Sequence, residues 1–198
     1  MTNAFENLSR QLSRLPGLGR KSAERAALGL VRQSNGLLES LLEALQQARD
    51  EVRLCRLCGA VTSVERDPCR LCTDPARDET LLCVVEEPGD ILAMERSGSF
   101  NGRYHALLGK LSPARAAGAA DLRLRELSAR LVDSPVREVI IAISTDMEGD
   151  ATAAYIAELL RGTPVSLTRL AFGLPADSGI GYSDALTLKR ALTGRQKV

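Results

Sequence analysis

The sequence predicts an α/β protein that carries a helical N-terminal domain and a small four-cysteine module, and three observations predict it. Residues 4–52 hold three leucine- and alanine-rich stripes at helical spacing. Residues 54–76 are poor in apolar side chains but contain two Cys-x2-Cys pairs. From residue 79 onward, apolar runs alternate with helical segments, the pattern of a mostly parallel sheet with flanking helices.

The helical stripes come first in the chain. Phe5, Leu8, Leu12 and Leu15 share one face, Ala23, Ala26, Ala27, Leu30 and Val31 a second, and Leu37, Leu38, Leu41, Leu42, Leu45 and Ala48 a third. Leu15-Pro16-Gly17-Leu18-Gly19 breaks the first pair and Ser34-Asn35-Gly36 the second. Further on, TLLCVV (80–85) reads as a strand covered on both faces. Residues 88–96 read as a helix with Pro88 in its first turn. A helix at 122–132, a strand at 136–143, a helix at 150–161, a strand at 165–171, an extended loop at 172–182 and a terminal helix at 183–193 complete the order. The domain boundaries expected are 1–53, 54–76, 79–172 and 173–198.

Composition narrows the function. The net charge is +1, so any nucleic-acid-binding charge is local. With three Phe, three Tyr and no Trp, base-stacking platforms are scarce, and contact with the phosphate backbone is the better expectation. No apolar run spans a membrane, and MTNAFENLSRQLSR has no secretory pattern, so a soluble, cytoplasmic protein is expected. In that compartment Cys serves as metal ligand or core filler more often than in disulfides.

The glycine break is the first candidate site. Gly17 and Gly19 allow a sharp turn, and the helix that starts near Arg20 presents N–H donors and dipole to a phosphate. Arg10, Arg14, Arg20, Lys21, Arg25 and Arg32 against Glu6 and Glu24 leave +4 over residues 1–35. Arg14, Gly17, Gly19, Arg20, Lys21 and Arg25 are the candidate DNA-contacting residues. Such contacts position without reading sequence.

Cys55-x2-Cys58 and Cys69-x2-Cys72, ten residues apart, form the second site. Four thiolates suit a closed tetrahedral zinc centre, structural because no position is left for water. Cys83 lies in the first buried run and reads as a core filler.

Acidic residues at strand ends form the third. Glu86 and Glu87 follow the first strand, and Asp146, Glu148 and Asp150 follow the second. In parallel sheets function gathers at such ends. His105, the single histidine, reads as structural, and Gly109-Lys110 is no phosphate loop because six residues separate Gly102 from Gly109 where that motif has four.

The glycine elbow resembles the helix-hairpin-helix motif, and the acidic cluster resembles the Toprim domain of topoisomerases, primases and certain nucleases. Toprim sites pair a Glu with a DxD. Here Glu86 or Glu87 matches the Glu and Asp146 the second Asp, while Ser144 stands in the first Asp's place. The departure implies that magnesium is bound weakly at best. The whole order of parts, with LSRLPGLGRKSAERAA, the double CxxC, VVEEPGDILAMERSG, GRYHAL, MEGDATAAY and ALTGRQ, resembles the RecR family over essentially the full chain. That resemblance implies a non-catalytic DNA clamp and mediator of recombinational repair, a dimer or ring-shaped tetramer acting with RecO and RecF to help load RecA. It also implies a nucleoid-associated location and gives the Toprim acids a role in partner contact. The competing reading is a magnesium-dependent nuclease or primase built on Glu86, Asp146 and Glu148.

Overall fold

Ala23 and Ala27 stand one turn apart on α2 (Arg20–Arg32), and their small side chains let that helix pack against α1 (Asn3–Leu12). The computed structural model describes residues 3–32, 36–112, 118–171, 174 and 180–195. Ser34 and Asn35 of the second expected break lie outside the described residues, as do 172–173 and 175–179 of the expected loop and 196–198. The chain divides into two compact units, Met1–Arg53 and Leu54–Val198.

The first unit is α1, α2 and α3 (Leu37–Glu51). Leu15, expected on the face of α1, lies past its end in the turn and is half exposed. Among the described residues of this unit only Ala23 and Ala27 are buried. Leu28, Val31, Leu41, Leu42 and Leu45 are exposed to solvent. Three helices that bury two alanines have little core of their own.

In the second unit, β3 (Asp78–Val85), β4 (Gly102–Ala106), β5 (Glu138–Ala142) and β6 (Ser166–Arg169) form a sheet in the order β4-β3-β5-β6, with every pair parallel. Alternation along β3 sends Leu82 and Val84 to one face and Cys83 and Val85 to the other, and all four are fully buried. On the first face Leu82 and Val84 meet Leu124 and Leu127 of α6 (Leu124–Leu131) and Ile156 of α7 (Met147–Leu159). On the second, Val85 and Tyr104 share a core with Ile91 of α5 (Pro88–Ser97) and with the four paired cysteines. A metal-binding module thus covers sheet where a second layer of helix would ordinarily lie. α8 (Ala185–Thr193) closes the described chain, capped by the Asp184 carboxylate, which accepts from Leu186 N and Thr187 N.

β4 was not expected as a strand. Its five residues, GRYHA, include Arg and His and show no apolar run, yet four of them are buried. Their polar tips find partners instead: Tyr104 Oη donates to Glu95 at 2.7 Å, and Glu95 pairs in turn with Arg77. His105 Nε2 lies 2.8 Å from the Arg123 carbonyl, which can only accept, so Nε2 carries the proton.

Burial holds the His105 pKa down at about 4, helped by the nearby Arg123 and Arg130 charges, below the ordinary value of 6.5. On acidification the unfolded chain therefore takes up this proton first. The stability that neutral His105 contributes is complete above pH 6.5 and declines as pH falls toward 4. Between pH 7 and pH 5 the loss is about 2 kcal/mol. Urea denaturation at the two pH values should show it, and His105→Gln should flatten the difference. An equal pH dependence in both proteins would refute the assignment.

Candidate functional site

Two backbone knuckles bring the paired cysteines together. β1 (Val52–Leu54) and β2 (Val61–Ser63) form a short ribbon around the first pair, and Cys69 precedes the single-turn helix α4 (Arg70–Thr73) that carries Cys72. The four sulfurs lie within 4.8 Å of one another, with Cys58–Cys69 at 3.4 Å and Cys55–Cys72 at 4.0 Å. A tetrahedral metal with thiolates at about 2.3 Å has sulfur–sulfur edges of about 3.8 Å, so these spacings fit. Backbone amides add the second layer: Ala60 N donates to Cys58 Sγ and Cys69 N to Cys55 Sγ. Hydrogen bonds from Cys58 and Cys72 hold the Cys69 thiol below its ordinary range, while the same contact with Cys69 pushes Cys58 up. Among the described residues this is the group of side chains able to hold a metal ion.

The module is bonded to the sheet. Ala106 N donates to the Cys58 carbonyl at 2.7 Å, and Arg123 Nη2 donates to the carbonyls of Arg56 and Leu57. Gly59 turns the first knuckle at φ 80°, and a Cβ there would meet Arg123 Nη1 at 2.5 Å and Ala106 Cβ at 3.0 Å. Cys83 is buried on β3 in the same core, and burial raises its pKa to about 12.

In the first unit the elbow turns at Gly17, φ 79°, and the Gly19 carbonyl accepts from Ala23 N as α2 begins. The first turn of α2 contains no acidic residue. Arg14, Gly17, Gly19, Arg20, Lys21 and Arg25 are all exposed. Arg20 reaches Glu24 at 3.4 Å but keeps a side chain that is 90% exposed, and an ion pair so exposed holds it weakly. Arg14 donates to Gln11, and Arg25 to Ser22 at 3.5 Å.

The acids sit at the C-terminal ends of the sheet, but each has a partner within the chain. Glu86 Oε1 lies 3.4 Å from Lys110 Nζ. Glu87 is instead the N-cap of α5, in a reciprocal capping box with Asp90. Of the two glutamates, Glu86 therefore faces the cluster's lysine. Asp146 caps α7 by accepting from Gly149 N at 2.7 Å, and it lies 2.6 Å from Lys110 Nζ, which holds its carboxyl below the usual range. The helix expected to start at Asp150 thus starts at Met147, because Asp146 is its cap and not part of a free loop. Gly149 comes so near the strand end that a Cβ would stand 2.0 Å from the Ser144 carbonyl oxygen. Glu148 accepts from Ser112 Oγ. Asp150 binds Arg169 of β6 at 2.7 Å and Arg190 of α8 at 3.4 Å. Sequence reasoning missed Lys110, Arg169 and Arg190, which lie 36, 19 and 40 residues from their acids. No local spacing signals such pairs.

Fold and sites together define a class: a basic helical hairpin followed by a four-cysteine metal module seated on a parallel Toprim-type sheet. Family models agree in the same order, with RecR helix-hairpin-helix at residues 5–49, the Toprim domain at 80–171 and RecR C-terminal at 173–196. The chain is 46% identical over 189 residues to "Recombination protein RecR" of Desulfatibacillum aliphaticivorans, covering 96% of this chain and 94% of that one. It is 46% identical over 193 residues to the protein of that name from Thermobifida fusca (98% and 96% covered), and 47% over 192 residues to that from Syntrophobacter fumaroxidans (97% and 94%). The chain belongs to the RecR family, and with it to recombinational DNA repair. No helix among the described residues is long and apolar enough to cross a membrane.

Proposed function

We propose that this protein is a non-catalytic DNA clamp and mediator: it binds DNA through the glycine elbow, assembles with copies of itself, and acts with RecO and RecF to promote loading of RecA in the bacterial cytoplasm at the nucleoid. The observation that carries the reading is the basic start of α2, where Arg20 and Lys21 are exposed beside a glycine turn in a chain of net charge +1. Self-association is supported by the thin core of the first unit and the solvent-facing leucines of α2 and α3. Closure into a ring would retain DNA by topology and let weak basic patches act at high effective concentration. The metal of the four-cysteine centre is zinc in this reading, chosen by the all-thiolate, four-position donor set, with a structural role. The acids at the strand ends serve partner contact, and the internal cations bound to Asp146 and Asp150 argue against a working magnesium site.

Fluorescence anisotropy with two unrelated DNA sequences at 50 and 200 mM salt tests the reading. Six phosphate contacts would weaken binding by about a thousandfold across that range, equally for both sequences. Salt-independent binding, or magnesium-dependent cleavage of supercoiled DNA, would overturn it.

A further inference from the structure

The acidic cluster already contains a cation. Lys110 Nζ lies 2.6 Å from Asp146 Oδ2, 2.9 Å from Ser144 Oγ and 3.4 Å from Glu86 Oε1. These three oxygens belong to residues that follow two adjacent strands, β3 and β5, and the lysine lies four residues past the end of β4, on the other side of β3. Its side chain is only 9% exposed. A long, strongly hydrated side chain gives up water and rotamer freedom to sit there, and three oxygen partners are what offset that loss.

The backbone leading to Lys110 is also committed. Leu108 adopts φ 64°, a region that costs a residue with a Cβ about 1 kcal/mol or more, and Gly109 follows at φ 142°. This turn is pinned on both sides: Gly109 N donates to the Glu86 carbonyl at 3.1 Å, and Leu111 N donates to the hydroxyl of the buried Thr152 on α7 at 3.0 Å. Ser144 contributes in two ways. Its hydroxyl accepts from the ammonium, and it adds no negative charge, so one lysine stands against Glu86 and Asp146 alone among the groups it touches.

We infer that the Lys110 ammonium stands in the place a divalent cation would take between Glu86 and Asp146, so that the strand-end site is closed by a cation of the chain itself and opens to a divalent ion only when that lysine is removed. A magnesium ion draws its oxygens in to about 2.0–2.1 Å and cannot share the space with an ammonium already hydrogen-bonded to them. The inference deepens the non-catalytic reading above and rests on it: the site is inert because it is filled from within.

The test uses the full zinc-loaded chain and manganese as probe, with free Mn2+ read by electron paramagnetic resonance. The thiolate centre does not compete, since manganese prefers oxygen ligands. Lys110→Met should bind one Mn2+ at least tenfold more tightly than the unsubstituted chain, and adding Asp146→Asn should abolish the gain. Lys110→Arg, which keeps the positive charge, should stay closed. Equal manganese affinity in the unsubstituted and Lys110→Met chains overturns the inference. Should the methionine variant not fold, reductive methylation of the unsubstituted chain with peptide mapping decides: Lys110 should stay unmodified while the exposed Lys21 and Lys189 react, and modification at the rate of Lys21 would overturn it. Nuclease activity in the unsubstituted chain would sink the non-catalytic reading, whereas absence of a manganese gain sinks this inference alone.

Discussion

Cys58→Ser should release the metal and unfold much of the second unit, the largest effect expected of any single substitution here. Structural zinc contributes on the order of 10–16 kcal/mol in small finger domains, and a whole domain is typically stable by only about 5–15 kcal/mol. The four cysteines are not an appendage that could be lost quietly. They are buried in one cluster with Val85, Ile91, Tyr104 and Ala106, and the Cys58 carbonyl takes a hydrogen bond from the edge strand β4. Metal analysis should fall from one ion per chain to near none, and the thermal transition of the second unit should broaden or vanish. Cys83→Ala is the internal control. That thiol is equally buried but lies outside the ligand set, so its loss should cost about 1 kcal/mol and leave the metal in place. A serine variant that keeps its metal and its melting transition would show that the centre does not hold the fold.

The second large effect is on DNA. Lys21→Glu combined with Arg25→Glu should weaken binding by about a hundredfold at low salt, since two charge-assisted contacts contribute at least about 1.5 kcal/mol each. The slope of log affinity against log salt should fall by about 2, close to one unit per lost phosphate contact. Both side chains are exposed, so the fold should be untouched and circular dichroism unchanged. An unaltered slope would place the DNA contacts elsewhere on the chain.

Where the sequence could be read, the reason was burial on two faces or a fixed spacing. β3 announced itself because Leu82, Cys83, Val84 and Val85 are covered from both sides, which leaves a run with no polar gap. The cysteines announced themselves by Cys-x2-Cys, and α5 by Pro88 in its first turn. At β4 and at the acidic cluster the misses share a physical origin, in that the stabilising partner is distant in sequence. β4 is buried through polar tips that meet Glu95 and Arg123, so its residues look like a loop when taken alone. The helix expected from residue 150 begins at Met147, a start hidden because Asp146 and Glu148 read as strand-end acids of a site, although Asp146 is the cap. The broken Toprim pair was visible at Ser144. The lysine that sits against that serine was not, since Lys110 is 34 residues upstream in a stretch whose only local resemblance was to a phosphate loop it fails to match.

The close approach of Gly149 to the Ser144 carbonyl has a consequence for how this strand end can diverge among related chains. Any residue with a Cβ at 149 would collide with main chain, a clash no rotamer change relieves. Ser144, by contrast, directs a hydroxyl toward a lysine that could be exchanged along with it. The route of the polypeptide here is therefore rigidly inherited, while the electrical character of the cleft can drift by side-chain replacement alone. One scaffold can in this way carry either a metal-bearing or a self-neutralised cleft without altering its turns.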